Sequence, residues 1–199
     1  MKKICWFLLL LLLLACLPLR AQTPRLLEGP EREAAIAGIL QANDLRSTLQ
    51  FRFVMTRHSA LLTDDLVSRG HAAFAFPDRL RWEVTSPRRS VFVMNGELAL
   101  DRRQQSLLHN LTKLSEGGLI NEKDFGVTVY AAPGCWQVDL VPLRRDLSQL
   151  FARITLLADA ATGALRSVVL SETGGDTTQL EFSDVVRGAA LDPQLFLEP

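Results

Sequence analysis

Residues 74–96 of this chain read FAFPDRLRWEVTSPRRSVFVMNG, and this stretch decides the fold class. Successive side chains of a β-strand point to opposite faces of a sheet, so alternating residues separate into two sets. Leu80 and Trp82 fall on an apolar face, whereas Arg81 and Glu83 fall on the other face, which we expect to be solvated. The stretch therefore predicts an antiparallel sheet with one face buried and one face in water.

A hairpin signal closes the same stretch. Asn95 and Gly96 stand between two apolar runs, residues 91–94 and 98–100. A two-residue type I′ turn needs a positive φ at both central residues, and Asn-Gly meets that need. We therefore expect these two runs to be neighbouring strands joined by a tight turn.

The two-residue period recurs along most of the chain. Apolar and polar positions alternate between turn-forming clusters such as TDD at residues 63–65 and TGGD at residues 173–176. Gly70 interrupts one of these runs and predicts a β-bulge or a bend where the sheet curls. About ten short strands describe an antiparallel meander that curls into a half or whole barrel. The predicted strands cover residues 49–56, 67–76, 79–84, 91–94, 98–100, 125–131, 135–141, 154–158, 165–172 and 177–186.

One short amphipathic helix is predicted ahead of the sheet, over residues 30–43, PEREAAIAGILQAN. Proline suits the first turn of a helix, and acidic side chains there complement the helix dipole. Ile36, Ile39 and Leu40 recur at the spacing that places side chains on one face. Residues 101–124 have weak periodicity and contain a glycine pair, so we predict no secondary-structure element there.

The N-terminus has the layout of a secretory signal peptide. Lys2 and Lys3 precede an unbroken apolar run over residues 4–14, and small residues follow it. The run is shorter than the roughly 20 residues that cross a bilayer. The chain is therefore expected to be exported.

Two processing sites compete in this segment. Cleavage after Ala21 makes residues 1–21 the signal peptide and leaves residues 22–199 as a single mature domain, and we favour this site. The alternative is lipid attachment at Cys16, which follows a Leu-Leu-Ala run and would give a membrane lipoprotein. The Leu-Pro-Leu after that cysteine is a poor hydrophilic tether.

Charge and cysteine content narrow the function classes. The chain has 22 basic and 22 acidic residues, and cleavage after Ala21 removes only basic ones. A slightly acidic domain does not suggest a nucleic-acid partner. Cys135 is the only cysteine left after that cleavage, so no internal disulfide can form. The fold must rely on its core.

The sequence contains no recognisable catalytic or metal-binding constellation. His58, His71 and His109 are far apart and lack the spacing of a zinc site. Nucleophile elbows, Walker loops and dinucleotide fingerprints are also missing. We therefore expect no catalytic residue, no metal, no cofactor and no enzymatic activity, and a small hydrolase or isomerase is the least favoured alternative.

Large apolar side chains are concentrated on the predicted strands. They are consistent with an ordinary core, but a single short helix covers little of one sheet face. A curled sheet of this size is equally consistent with a cavity for an apolar ligand, so both interpretations stay open at this point. The aromatic residues concerned are Phe51, Phe53, Phe74, Phe76, Trp82, Phe92 and Phe182.

An ordered set of short motifs resembles the bacterial outer-membrane lipoprotein carrier (LolA) family. The resemblance extends over most of the mature chain. Its motifs are Gly70, FAFPDRLRWE at residues 74–83, Pro87, Asn95-Gly96, LVP at residues 140–142, ITL at residues 154–156, GAL at residues 163–165, GGDTT at residues 174–178 and LDPQLF at residues 191–196.

The resemblance implies a fold and a set of binding residues. The implied fold class is mainly β with α, an incomplete, half-open antiparallel β-barrel with a helical lid over a hydrophobic cavity. The cavity of this family accepts lipoprotein acyl chains. With strand parity, the implied acyl-cavity residues are Phe51, Phe53, Phe74, Phe76, Leu80, Trp82, Phe92 and Phe182. The apolar face of the lid would consist of Ile36, Ile39 and Leu40.

The resemblance also implies a function. It describes a monomeric periplasmic chaperone that accepts acylated lipoproteins or lipid from an inner-membrane ABC transporter and delivers them to an outer-membrane acceptor. A sensor or scaffold of the same fold is the alternative. This chain departs from the family at Phe76, because well-studied carriers have an arginine immediately before the equivalent of Pro77 that helps hold the lid shut. The lid latch is therefore expected to be missing or different.

Overall fold

The structure is a computed structural model that describes residues 23–44, 46–95 and 120–197. The predicted signal peptide over residues 1–21, with Cys16, lies outside these ranges. So does the second strand of the predicted Asn-Gly hairpin, at residues 98–100.

Ten strands form one sheet within the described ranges, accompanied by two helices and a 3₁₀ turn. The leading helix lies within one residue of its predicted bounds, whereas the first strand, the second helix and the 3₁₀ turn were not predicted. The elements are β1 (Arg25–Leu27), α1 (Gly29–Ala42), β2 (Leu49–His58), β3 (Leu66–Ala75), β4 (Arg79–Ser86), β5 (Ser90–Met94), β6 (Phe125–Ala132), β7 (Cys135–Pro142), α2 (Arg145–Ser148), β8 (Phe151–Asp159), β9 (Leu165–Glu172), β10 (Thr177–Arg187) and the 3₁₀ turn Pro193–Phe196.

The strands follow the order β1-β6-β7-β8-β9-β10-β2-β3-β4-β5, and every neighbouring pair is antiparallel. Pairing of β10 with β2 joins the chain's first hairpins to its last ones. Within the described ranges β1 and β5 are the two edges, so the sheet does not close on itself. The predicted half-open antiparallel barrel with a helical lid is confirmed.

One face of the sheet is apolar across both halves, and we call it the inner face. Directly paired residues of neighbouring strands share a face, and such a row runs from Val138 through Leu156, Val168 and Leu180 to Met55. Val138 and Leu156 belong to the core cluster that includes Ala35 and Ile39 of α1, and Val168 packs against that cluster. The helix therefore covers the same face that carries the alternate aromatic residues of β2.

Helix α1 is seated closely on the β6–β9 half of the inner face. Ala35 and Ile39 are fully buried there. A Cβ added at Gly38 would lie 3.3 Å from the Trp136 ring, and a Cβ at Gly163 would overlap the Gly38 carbonyl. Gly163 also has a φ of +74°, which glycine adopts without strain. Both glycines allow the helix backbone to approach the sheet.

The opposite, outer face corrects one expectation. Glu83 was expected to be solvated, yet its side chain is only 9% exposed. Arg81 donates to Glu83 Oε2 at 3.0 Å, and Arg89 donates to Oε1 at 3.0 Å. His71 Nε2 lies 3.5 Å from the same carboxylate. These three side chains cover the carboxylate, which is the reason that alternation alone misplaced this residue.

Candidate functional site

Four aromatic rings meet on the inner face beside the region covered by the helix, and we call them the aromatic cluster. Phe53 stacks on Trp82 with ring centroids 4.0 Å apart and an interplanar angle of 24°. Phe51 meets Trp82 edge-on at 6.1 Å and Phe182 edge-on at 5.2 Å. Such aromatic pairs contribute about 0.5–1.5 kcal/mol each beyond the area that they bury. The cluster joins β10, β2 and β4 across β3.

Gly70 gives the cluster its space. The pairing of β3 with β4 shifts register between Arg69 and Gly70, which confirms the predicted bulge. A Cβ at Gly70 would lie 2.6 Å from the Phe53 ring and would overlap the Glu83 carbonyl oxygen. The absence of a side chain therefore allows the Phe53 ring to lie flat over β3 beneath Trp82.

Three further predicted cavity residues extend this apolar surface. Leu80 pairs directly with Phe74 of β3, and Trp82 pairs with Phe92 of β5. Phe53 and Phe74 are buried, whereas Phe51, Leu80, Trp82, Phe92 and Phe182 are only half-buried. The half-buried set leaves apolar surface within reach of a ligand.

Phe76 lies apart from this surface. Strand β3 ends one residue earlier, and the Phe76 side chain is 44% exposed in the turn before Pro77. The structure therefore places seven of the eight predicted cavity residues on one face and the eighth in a turn.

The three predicted lid residues lie over the other half of the inner face. Ile39 is buried in the core cluster of β6–β9, and Ile36 and Leu40 pack against the same cluster. The helix thus covers its own half of the sheet and leaves the aromatic cluster beside it.

A polar network at the end of α1 was not predicted from the sequence. Asn43 is buried, and its Nδ2 donates to the carbonyl oxygens of Ile39 at 2.7 Å and Gly163 at 2.8 Å. Its Oδ1 accepts from Leu165 N at 3.1 Å and from Arg187 Nη2 at 2.8 Å. Both donors and both lone pairs of the amide are used. Asparagine is common at helix ends, but partners more than a hundred residues away leave no signal in sequence spacing.

This face is an apolar surface with half-buried aromatic rings. In residues 23–44, 46–95 and 120–197, no group of three or more His, Cys, Asp or Glu side chains is arranged to hold a metal ion. None of the helices in those ranges is long and apolar enough to cross a membrane. Aromatic and aliphatic side chains gain free energy when they exclude water, so an apolar chain is the ligand that such a surface suits.

A half-open antiparallel barrel with one lid helix and an apolar inner face defines the class of protein to which this chain belongs. Comparison with known families gives that class a name. The model of the outer membrane lipoprotein carrier protein LolA matches residues 45–197, and the chain belongs to this family.

Individual relatives are distant. An outer-membrane lipoprotein carrier protein of Nitrosomonas europaea is 24% identical over 98% of this chain and 94% of its own length. Among solved structures, a LolA superfamily protein of N. europaea has a TM-score of 0.43 at 10% identity, over 83% of this chain and 97% of that one. The MucA/MucB complex of Pseudomonas aeruginosa has a TM-score of 0.48 at 16% identity, over 85% of this chain and 61% of the matched chain.

Proposed function

We propose that this protein is a periplasmic carrier that shields the acyl chains of lipoproteins, or of another acylated lipid, while they pass from the inner to the outer membrane. The observation that carries the proposal is the half-buried aromatic surface next to the lid helix. Membership of the lipoprotein carrier family supports it. The proposal includes export by a signal peptide over residues 1–21 and a mature monomeric domain over residues 22–199.

The aromatic cluster is where we place the acyl chain. Each methylene group removed from water contributes about 0.8 kcal/mol, so even one chain supplies several kcal/mol of binding. Stacking of Trp82 on Phe53 fixes a flat apolar floor, while the half-buried rings of Phe51 and Phe182 supply walls. The acyl chain thus displaces water from the surface that the predicted cavity residues form.

The lid helix limits the affinity for the acyl chain, as release from a carrier requires. A chain that is fully enclosed would be held too tightly to be handed on, because affinity grows with every buried methylene. Movement of α1 away from the sheet would expose Ile36 and other apolar side chains, and this cost would subtract from the net affinity for the ligand. With Phe76 in the place of the family arginine, the contacts at Asn43 hold the helix end in this chain.

The partners are proposed by family membership. An ABC transporter of the inner membrane would load the carrier, and an outer-membrane acceptor would receive the cargo. A sensor of the same fold would need only to bind its ligand, whereas a carrier must also release it to a second membrane. An assay that measures both binding and release therefore distinguishes a carrier from a sensor.

A vesicle-to-vesicle transfer assay tests the proposal. The mature protein is mixed with donor vesicles that hold a fluorescent triacylated lipopeptide, and acceptor vesicles are then added. We expect extraction from the donor and delivery to the acceptor. Leu80→Glu and Trp82→Glu should each abolish extraction, because they place a carboxylate on the apolar face.

The matched control is Thr85→Glu, which puts the same charge at an exposed position of β4. Its transfer rate should stay within twofold of the unaltered protein. Circular dichroism establishes that each variant is folded. Unchanged extraction by both inner-face variants would contradict the site, and extraction without delivery would favour a sensor.

A further inference from the structure

An arginine lies on the inner face beside the aromatic cluster and has a nitrogen that no group of the described residues uses. Arg187 is the last residue of β10 and pairs directly with Leu49. Leu49 is two residues from Phe51 on the same face of β2, a step of about 7 Å. Leu49 also pairs with Phe74, so Arg187 stands at the end of an apolar row that borders the cluster.

The two terminal nitrogens of Arg187 have different surroundings. Nη2 donates to Asn43 Oδ1 at 2.8 Å, at the end of α1. Nη1 is buried and has no hydrogen-bond partner in residues 23–44, 46–95 and 120–197. A buried donor without an acceptor destabilises the folded protein, and a charged donor does so more than a neutral one. Burial also lowers the pKa of Arg187, and no carboxylate in the part of the chain that the structure describes opposes that effect.

No carboxylate of the described ranges forms an ion pair with this guanidinium. Most other arginines on the sheet have one, as Arg153 has Asp139 at 3.4 Å on the outer face. Guanidinium groups bind carboxylates and phosphates through paired, charge-assisted hydrogen bonds. The site therefore offers a cation with one nitrogen that is unpartnered among the described residues, next to an apolar surface.

We propose that Arg187 binds an oxyanion, a carboxylate or a phosphate, attached to an acyl chain that lies on the aromatic cluster. This inference rests on the proposed binding of acyl chains and adds a polar anchor to it. Nη1 donates to the oxyanion while Nη2 keeps its bond to Asn43. The ligand class is an anionic acyl lipid, of which a fatty acid is the simplest member.

Ligands with one chain length and different ends test the inference on the unaltered mature protein at pH 8. Displacement of a fluorescent fatty-acid analogue gives affinities for laurate, lauryl phosphate and dodecanol, with inorganic phosphate as the oxyanion without a chain. We expect laurate and lauryl phosphate to bind about tenfold more tightly than dodecanol, as a charge-assisted hydrogen bond predicts. Inorganic phosphate should not displace the analogue at the same concentrations.

Three other outcomes would contradict the anchor or the binding of acyl chains. Equal affinity for dodecanol and the two anions would overturn the anchor and leave the proposed function standing. Displacement by inorganic phosphate at laurate concentrations would show that the chain is irrelevant and would also overturn it. Failure of laurate and dodecanol alike to bind would overturn both this inference and acyl-chain binding.

Variants assign the preference to one residue. Arg187→Met should bring the affinity ratio between laurate and dodecanol close to one, whereas Arg153→Met, on the outer face, should leave it unchanged. Retention of the preference in folded Arg187→Met would overturn the assignment. Arg187→Lys keeps the charge and should keep most of the preference for laurate over dodecanol. Loss of that preference in a folded Arg187→Lys protein would show that the guanidinium acts only through Asn43.

Discussion

At the scale of the residue, Glu83 shows how a charge can be part of an interior. The carboxylate lies between Arg81, which is 17% exposed, and Arg89, which is 74% exposed. Arg81 hydrogen bonding, opposed by burial and assisted by Arg89, holds the pKa of Glu83 below its usual range. The buried partner matters most, because exposed ion pairs contribute little.

The depressed pKa of Glu83 predicts a specific pH dependence. Its contribution to stability is complete above the unfolded-state pKa of about 4.3 and is lost as the pH falls through the lower folded-state pKa. We expect Glu83→Gln to lower the free energy of unfolding by about 2 kcal/mol at pH 7. The difference from the unaltered protein should shrink below pH 4.

Urea unfolding of both proteins across this pH range measures that difference. Glu181→Gln, at an exposed position on the outer face of β10, is the control and should change stability by less than about 0.5 kcal/mol. A difference at Glu83 that stays constant down to pH 3 would contradict the ion-pair account.

At the scale of the element, the two ends of α1 are held differently. Its C-terminal end has the four hydrogen bonds of Asn43 and the close approach of Gly38 to Gly163. Its N-terminal half has two ion pairs, Arg25 with Glu31 and Arg32 with Glu122, in which both glutamates are more than half exposed. Any movement of the lid should therefore begin at the N-terminal end.

Hydrogen exchange of the α1 amides tests this asymmetry. We expect amides of residues 32–35 to exchange faster than those of residues 39–42, because the exposed pairs cost little to break. Higher salt should accelerate the first group alone, since salt screens surface pairs. Asn43→Ala should accelerate the second group, and uniform exchange along the helix would contradict a fixed C-terminal end.

At the scale of the whole molecule, local patterns predicted much of the fold. Strand alternation around Trp82, the helix over residues 30–43 and the bulge at Gly70 are all consequences of neighbours in sequence. The meeting of Asn43 with Arg187 depends on the order that places β10 beside β2, and no spacing in the sequence records that order. The burial of Glu83 depends on the side chains of Arg81 and Arg89 folding over its carboxylate, which strand alternation does not predict.

The candidate site was predictable to the same extent. The family resemblance assigned Trp82 to the cavity and strand parity added Phe51, and the structure brings their rings within 6.1 Å of each other. Parity could not show that Phe76 falls beyond the end of β3, nor which half of the sheet the helix covers. Those features depend on where a strand stops and on packing between elements.

The two tryptophans of the predicted mature chain lie on different halves of the inner face. Trp82 stacks within the aromatic cluster, whereas Trp136 lies under α1 against Gly38. The fluorescence of each indole therefore reports on a different part of the inner face.

In a Trp136→Phe protein, an acyl ligand should shift the emission of Trp82 to shorter wavelength. In a Trp82→Phe protein the emission of Trp136 should stay constant, because the end of the helix above it remains seated. A response from Trp136 alone would place the ligand beneath the helix. The emission of Trp82 therefore reports ligand binding at the aromatic cluster, and the emission of Trp136 separately reports movement of α1.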